Sequence, residues 1–119
     1  MARARFILFV VTNLLLVWSL AAHPPSSIAL EFQPETGLLI IDIQHPTPDV
    51  QKHYINKVEI LLNDRLVVSQ EFFYQTDPEQ QKAACIVHGA KPGDEILVIG
   101  YCNVFGKKKA AVTVPDGNK

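Results

Sequence analysis

Three side chains that commonly bind metals stand in short motifs of this chain. His45 precedes a proline, His53 begins a His-Tyr-Ile segment, and Cys102 begins a Cys-Asn-Val-Phe-Gly segment at residues 102–106. Imidazole nitrogens and a thiolate sulfur are ligands of transition metals such as iron and copper. Each residue alone fits an ordinary structural role, since a lone cysteine is usually a small buried apolar residue. Together, the three form a candidate set of metal ligands.

Strand periodicity indicates how these ligands are positioned. Every second side chain of residues 38–44 is apolar on one face, and the same period places His45 on that face. A corresponding row along residues 95–101 leads to Cys102. Both ligands therefore stand where a core-facing row ends. His53 follows a proline-containing loop that can fold back towards His45.

The remainder of the chain predicts an all-β domain. No helical period is found after residue 22, whereas short apolar or alternating runs are separated by turn residues. Seven such runs at nearly even spacing predict an immunoglobulin-like antiparallel β-sandwich of about seven strands. The predicted strands are residues 27–32, 38–44, 54–62, 66–74, 82–88, 95–101 and 108–114.

The first 22 residues are predicted to be a signal peptide, with a helical apolar segment. Arg3 and Arg5 precede an apolar run over residues 6–20, and small residues follow it. Residues 23–119 then form one domain, and the protein is secreted or periplasmic. This domain has nine basic and 12 acidic residues, which gives a formal charge of −3. No basic stripe is present, so nucleic acid is not an expected partner.

The two cysteines are not expected to form a disulfide. The turn-rich linker at residues 89–94 predicts a hairpin between residues 83–88 and 95–101, which places Cys85 opposite Val98. Cys102 would then lie four residues further along, about 13 Å away, whereas a disulfide needs Cα atoms within about 7 Å. Cys85 is interpreted as a core residue.

The histidine and cysteine motifs resemble the iron centre of the superoxide reductases, the desulfoferrodoxin and neelaredoxin family. That family's metal-binding segments read His-Pro, His-Tyr-Ile and Cys-Asn-x-His-Gly. The resemblance implies that His45 and His53 are equatorial nitrogen ligands of one iron and that Cys102 is the axial thiolate. The segment His23-Pro24-Pro25 resembles the family's first ligand segment, so His23 is implied as a further metal ligand.

Two departures from the family pattern are visible. Phe105 stands where the family has a histidine ligand, and Ala22 stands where it has a lysine that attracts superoxide. His88 is a weak candidate for the missing nitrogen. Cleavage after Ala22 would also make His23 the first residue, able to chelate a metal through its amine and its imidazole. Histidines and one thiolate on a β-sandwich suit copper as well as iron.

The resemblance implies an exported mononuclear iron protein that reduces superoxide to peroxide, with Cys102 as the catalytic thiolate and an external protein or small molecule as the electron donor. The alternatives are a non-catalytic metal-binding module, a copper or electron-transfer module, and a sandwich without metal. Membrane association is expected only through an uncleaved signal peptide.

Overall fold

The computed structural model describes residues 23–116, so the predicted signal peptide and its helix lie outside the described residues. Seven strands coincide with the seven predicted runs, and their ends differ from the predicted ones by at most three residues. The strands are β1 (Ser27–Gln33), β2 (Leu38–Gln44), β3 (Ile55–Leu62), β4 (Arg65–Glu71), β5 (Gln80–Ile86), β6 (Glu95–Cys102) and β7 (Lys107–Thr113).

The strands form two antiparallel sheets that pack as a sandwich. One sheet has the order β1-β2-β5 and the other has the order β4-β3-β6-β7. This arrangement confirms the predicted all-β sandwich class. Within residues 23–116, no helix is long and apolar enough to span a membrane.

The core lies between β2 of one sheet and β3 and β6 of the other. Alternate side chains of these strands point inward, as period-2 alternation requires, and are completely buried. They are Leu39, Ile41, Ile43, Ile55, Val58, Ile60, Ile96 and Val98. Seven of these eight are isoleucine or valine, whose β-branched shapes suit the pleated surface of a buried sheet. Two of the inward rows end at His45 and Cys102, as the sequence predicts.

The two sheets approach each other closely at Gly100. A Cβ atom at this position would lie 2.9 Å from Cδ1 of Ile43, which is too short for an ordinary contact. Glycine therefore makes room for the isoleucine of the facing sheet. Ile43 is two residues before His45, and Gly100 is two residues before Cys102. This contact thus brings the ends of β2 and β6 together.

The predicted hairpin across residues 89–94 is wrong. β5 pairs with β2 in one sheet, and β6 lies between β3 and β7 in the other. The linker crosses between the sheets because its two ends bond to different partners. Val87 N–H donates to the carbonyl of Gly37 at 2.9 Å, whereas Gly93 N–H donates to the carbonyl of Val114 at 2.9 Å. The same glycines that suit a hairpin turn also suit this crossing.

Both cysteines are free, as expected, although for a different reason. Cys85 pairs across from Leu39, near the start of β2. Cys102 lies beyond the last residue of β2, at the other end of the sandwich. The separation of the two sulfur atoms therefore follows from their positions at opposite ends of the fold.

Candidate metal centre

Three loops or strand ends bring the predicted ligands together. His45 follows β2, His53 lies two residues before β3, and Cys102 is the last residue of β6. One ligand atom from each residue lies within 4.8 Å of the other two. His53 Nε2 is 3.1 Å from Cys102 Sγ. The rings of His45 and His53 meet edge to face, with their centroids 4.8 Å apart.

Asn103 fixes the position of His53 relative to Cys102. Its side-chain oxygen accepts a hydrogen bond from Tyr54 N–H at 2.8 Å, and its side-chain nitrogen donates to the carbonyl of Lys52 at 3.0 Å. Its own N–H donates to the Tyr54 carbonyl at 3.0 Å. Asn103 therefore bonds to the residues on both sides of His53 while being covalently joined to Cys102. The asparagine of the Cys-Asn motif positions two of the three candidate ligands.

His45 is almost completely buried, with 1% of its surface exposed. Its Nδ1 lies 2.8 Å from Oε1 of Gln75, a residue that is equally buried. Its Nε2 has no hydrogen-bond partner among residues 23–116. Buried polar atoms are normally paired, so an unpaired imidazole nitrogen beside two other ligand atoms is unusual.

The surroundings of His53 favour its neutral imidazole form. Burial lowers the pKa of His53 below its ordinary value of 6.5, and the neighbouring imidazoles of His45 and His23 lower that pKa further. A histidine must be neutral to bind a metal. At Cys102, the backbone N–H of Val104 donates a hydrogen bond to Sγ at 3.4 Å.

The donor set fits a transition metal ion. Ligand atoms bonded to one ion at about 2.0–2.3 Å lie roughly 3.0–4.5 Å apart. The separation of 3.1 Å between His53 Nε2 and Cys102 Sγ falls in this range, and the three ligand atoms all lie within 4.8 Å of one another. His45 contributes an imidazole nitrogen, and its Nε2 is the one without a hydrogen-bond partner among residues 23–116. A His/His/Cys cluster of this kind can therefore bind a metal.

His23 lies beside this cluster without being part of it. It lines an open cleft of about 390 Å³ together with His53, Pro46, Thr47, Pro48, Pro78 and Glu79. Its segment is held by the contact of Pro24 with Gly106, where an added Cβ would lie 2.5 Å from Pro24 Cβ. The structure thus places His23 at the mouth of the site. Its role as a ligand stays a prediction.

Neither Phe105 nor His88 adds a nitrogen ligand to the cluster. Phe105 is 62% exposed and has no ligand atom to offer. His88 follows β5, whose end pairs with the start of β2, so it lies at the opposite end of the sandwich from His45. It lines cavities there with Gly89. The suggestion that His88 supplies the missing nitrogen is therefore wrong.

Gln75 was not predicted from the sequence. It lies in the connection between β4 and β5, between an aromatic run and a Thr-Asp-Pro turn, where a glutamine is usually exposed. Its contact with His45 joins residues 30 positions apart in the chain. No local pattern signals such a contact.

The fold is similar to several solved structures, whereas no family model and no curated protein sequence matches the chain. A hypothetical protein from Pyrococcus horikoshii superposes with a TM-score of 0.57 at 20% identity, covering 83% of this chain and 98% of that one. The one-iron superoxide reductase from Giardia intestinalis gives 0.56 at 16% identity, covering 77% and 100%. A superoxide reductase (neelaredoxin) from Ignicoccus hospitalis gives 0.56 at 14% identity, covering 78% and 82%.

At these identities the likeness is one of fold. The chain has a fold similar to that of superoxide reductases, and one end of its sandwich carries a His/His/Cys cluster able to bind a metal.

Proposed function

We propose that this protein is an exported mononuclear iron protein that reduces superoxide to peroxide. One observation carries the proposal: His45, His53 and Cys102 converge at one end of a fold that is similar to superoxide reductases. His45, His53 and Cys102 hold the iron, and His23 is a further ligand from the mouth of the cleft. Residues 1–22 are the signal peptide, and residues 23–119 are the exported domain.

The iron, when bound, supplies the single electron that converts superoxide, with two protons, into hydrogen peroxide. Cys102 contributes a thiolate sulfur, which donates electron density to a metal. The N–H of Val104 donates a hydrogen bond to that sulfur. His53 faces the cleft, so a small molecule that enters through the cleft meets the cluster at this imidazole.

An external electron donor completes the cycle. The chain has two cysteines, and one of them lies at the far end of the sandwich, so a second cysteine-ligated electron relay is not available. One electron must therefore arrive from another protein or a small reductant for each superoxide that is reduced. Nucleic acid is not a partner, and a membrane is met only if the signal peptide is retained.

A second candidate is a non-catalytic metal-binding or copper electron-transfer module. Two imidazoles and one thiolate are also the strong ligands of copper electron-transfer sites. In addition, no lysine or arginine is among the residues that line the cleft of the described domain, whereas Glu79 is. A cleft without a cation attracts a superoxide anion poorly. These features favour binding without rapid reduction.

Two measurements decide between these functions. Tag-free protein is reconstituted separately with ferrous iron and with copper, and retained metal is counted. Retention of about one equivalent of iron supports the proposal, whereas less than about a tenth of an equivalent of either metal rejects both candidates. If the protein retains copper but not iron, an intense thiolate-to-copper absorption band supports the second candidate.

Stopped-flow mixing of the iron-loaded protein with superoxide then tests the reaction. The proposal expects rapid oxidation of the iron, observed as the appearance of a ferric–thiolate absorption band. A superoxide decay rate equal to that of Cys102→Ser treated in the same way removes the enzymatic function. Mass spectrometry of the secreted protein tests the export step, since the proposed first residue is His23 or Ala22.

A further inference from the structure

The side chain of Gln75 makes a complete set of hydrogen bonds in the interior. Gln75 is 1% exposed and follows β4, with its backbone N–H bonded to the carbonyl of Val50 at 3.0 Å. A primary amide can donate two hydrogen bonds and accept two. In this protein all four are made, and three of the partners are backbone groups.

The backbone partners determine which way the amide points. Nε2 of Gln75 donates to the carbonyl of His45 at 2.7 Å and to the carbonyl of Asp77 at 3.0 Å. Oε1 accepts from the N–H of Ile55 at 3.2 Å. A flipped amide would set an oxygen against two carbonyls and an NH₂ group against an N–H. Only one orientation satisfies the three backbone groups.

That orientation in turn determines where His45 carries its proton. Oε1 of Gln75 lies 2.8 Å from Nδ1 of His45 and can only accept, so Nδ1 must be the donor. A neutral imidazole with its proton on Nδ1 has a free lone pair on Nε2. This nitrogen is the one that is buried without a partner among the described residues, on a ring that packs against His53 and belongs to the His/His/Cys cluster.

We infer that Gln75 is a positioning residue that locks His45 in the Nδ1–H tautomer and so presents Nε2 to the metal. The inference rests on the proposed function for the metal but not for the tautomer, which follows from the protein alone. Outer-sphere partners of metal-bound histidines act in this way, and their loss typically lowers metal affinity by roughly 10- to 100-fold.

The tautomer is measured first, on metal-free wild-type protein. Two-bond proton–nitrogen correlation spectra of the imidazoles distinguish a protonated Nδ1 from a protonated Nε2. We expect His45 to carry its proton on Nδ1, the opposite of the preference of an unconstrained imidazole. An Nε2–H form that equals or exceeds the Nδ1–H form overturns the inference. Because this experiment needs neither a variant nor a metal, its outcome is independent of the proposed function.

Metal affinity is measured next, by competition with a chelator, for Gln75→Met and for a matched control. Gln81 is another buried glutamine, at 4% exposed, and it bonds to Thr76 N–H and to the Lys82 carbonyl but not to a histidine. We expect Gln75→Met to lower the affinity by roughly 10- to 100-fold and Gln81→Met to leave it within about threefold. Equal losses in both variants contradict a positioning role.

A second variant keeps the hydrogen-bond acceptor opposite His45. Gln75→Glu keeps an acceptor facing Nδ1 of His45, although it places its second oxygen near two carbonyls. We expect it to retain the Nδ1–H tautomer and to recover most of the affinity that Gln75→Met loses. A Gln75→Glu protein that folds but shows the Nε2–H tautomer overturns the inference. Wild-type protein that binds no metal while showing the Nδ1–H tautomer refutes the proposed function and leaves the tautomer assignment standing.

Discussion

Cys102 and Cys85 lie in one sandwich and differ in what surrounds the sulfur. Cys102 ends β6, where His53 Nε2 lies 3.1 Å away and a backbone N–H points at the sulfur. Cys85 lies within β5, half-buried, and packs against the apolar core. Burial raises its pKa. Within residues 23–116 it belongs to no cluster of three potential metal ligands.

The difference shows that core-facing rows serve one purpose inside the sandwich and another at its end. Inside the sandwich the row supplies apolar surface, and a cysteine there acts as a small hydrophobic residue. At the end of the row the sheet no longer covers the side chain, and loops can bring polar partners to it. The loop containing His53 and the residue Asn103 do so for Cys102.

The largest predicted difference between the two cysteines is in metal affinity after each is replaced with serine. Cys102→Ser removes a proposed metal ligand, so metal affinity should fall by more than the roughly 100-fold that loss of an outer-sphere partner can cost. Cys85→Ser should leave metal affinity unchanged, because its sulfur faces the core at the other end. Chelator competition measures both. Equal affinity losses in the two variants would show that neither sulfur is a ligand.

A second comparison between the two ends of the sandwich concerns the stability cost of replacing a glycine with alanine. Gly106, next to the metal site, and Gly89, at the opposite end, both have positive φ, so alanine costs roughly 1–2 kcal/mol at either position. Only at Gly106 does the new Cβ collide with Pro24; at Gly89 nothing lies within 4 Å. We expect Gly106→Ala to destabilise the protein by about 1–3 kcal/mol more than Gly89→Ala. Denaturant unfolding measures this difference.

The same pair tests His23. If relief of the clash moves Pro24, then His23 moves with it, and metal affinity should fall in Gly106→Ala but not in Gly89→Ala. An unchanged affinity in a destabilised Gly106→Ala protein would remove His23 from the ligand set.

The pH dependence of stability tests the surroundings of His53 at the site end of the sandwich. The pKa of His53 is lowered in the folded protein, so the unfolded chain takes up this proton at a higher pH than the folded one. The free energy of unfolding of metal-free protein should therefore fall as the pH drops through 6.5 towards the folded pKa, and then level off. His53→Asn should flatten this slope. Identical slopes in wild type and His53→Asn would contradict the account.

The smallest predicted effect is on the rate at which the Cys85 thiol is alkylated. Because the raised pKa of Cys85 leaves less thiolate near neutral pH, this residue should react several-fold more slowly with an alkylating reagent than an exposed peptide thiol. Mass spectrometry of Cys102→Ser follows Cys85 alone. Reaction at the rate of the peptide thiol would mean that Cys85 is not shielded by the core.

Local periodicity was sufficient to predict much of the fold. The seven strands and the inward faces that end at His45 and Cys102 follow from alternation and turn residues, which are local properties. The pairing of β5 was wrongly predicted, because the glycines at residues 89–94 permit either a hairpin or a crossing. The choice depends on Gly37 and Val114, which bond to the two ends of the linker from distant parts of the chain.

The ligand residues of the candidate site could be predicted from the sequence, whereas the residue that holds His45 in place could not. His45, His53 and Cys102 are visible through their motifs, and the structure brings them together. Gln75 is not visible, because its significance arises from three backbone groups and an imidazole that only the fold assembles. The local environment of a ligand is thus the part of a site that needs a structure.

The central claim is that two imidazoles and one sulfur bind a single metal ion. X-ray absorption spectroscopy of the iron-loaded protein tests this claim most directly. The account predicts one sulfur at bonding distance, together with imidazole nitrogens numbering two or more, and loss of the sulfur signal in Cys102→Ser but not in Cys85→Ser. An iron surrounded only by nitrogen and oxygen in the wild-type protein would contradict it.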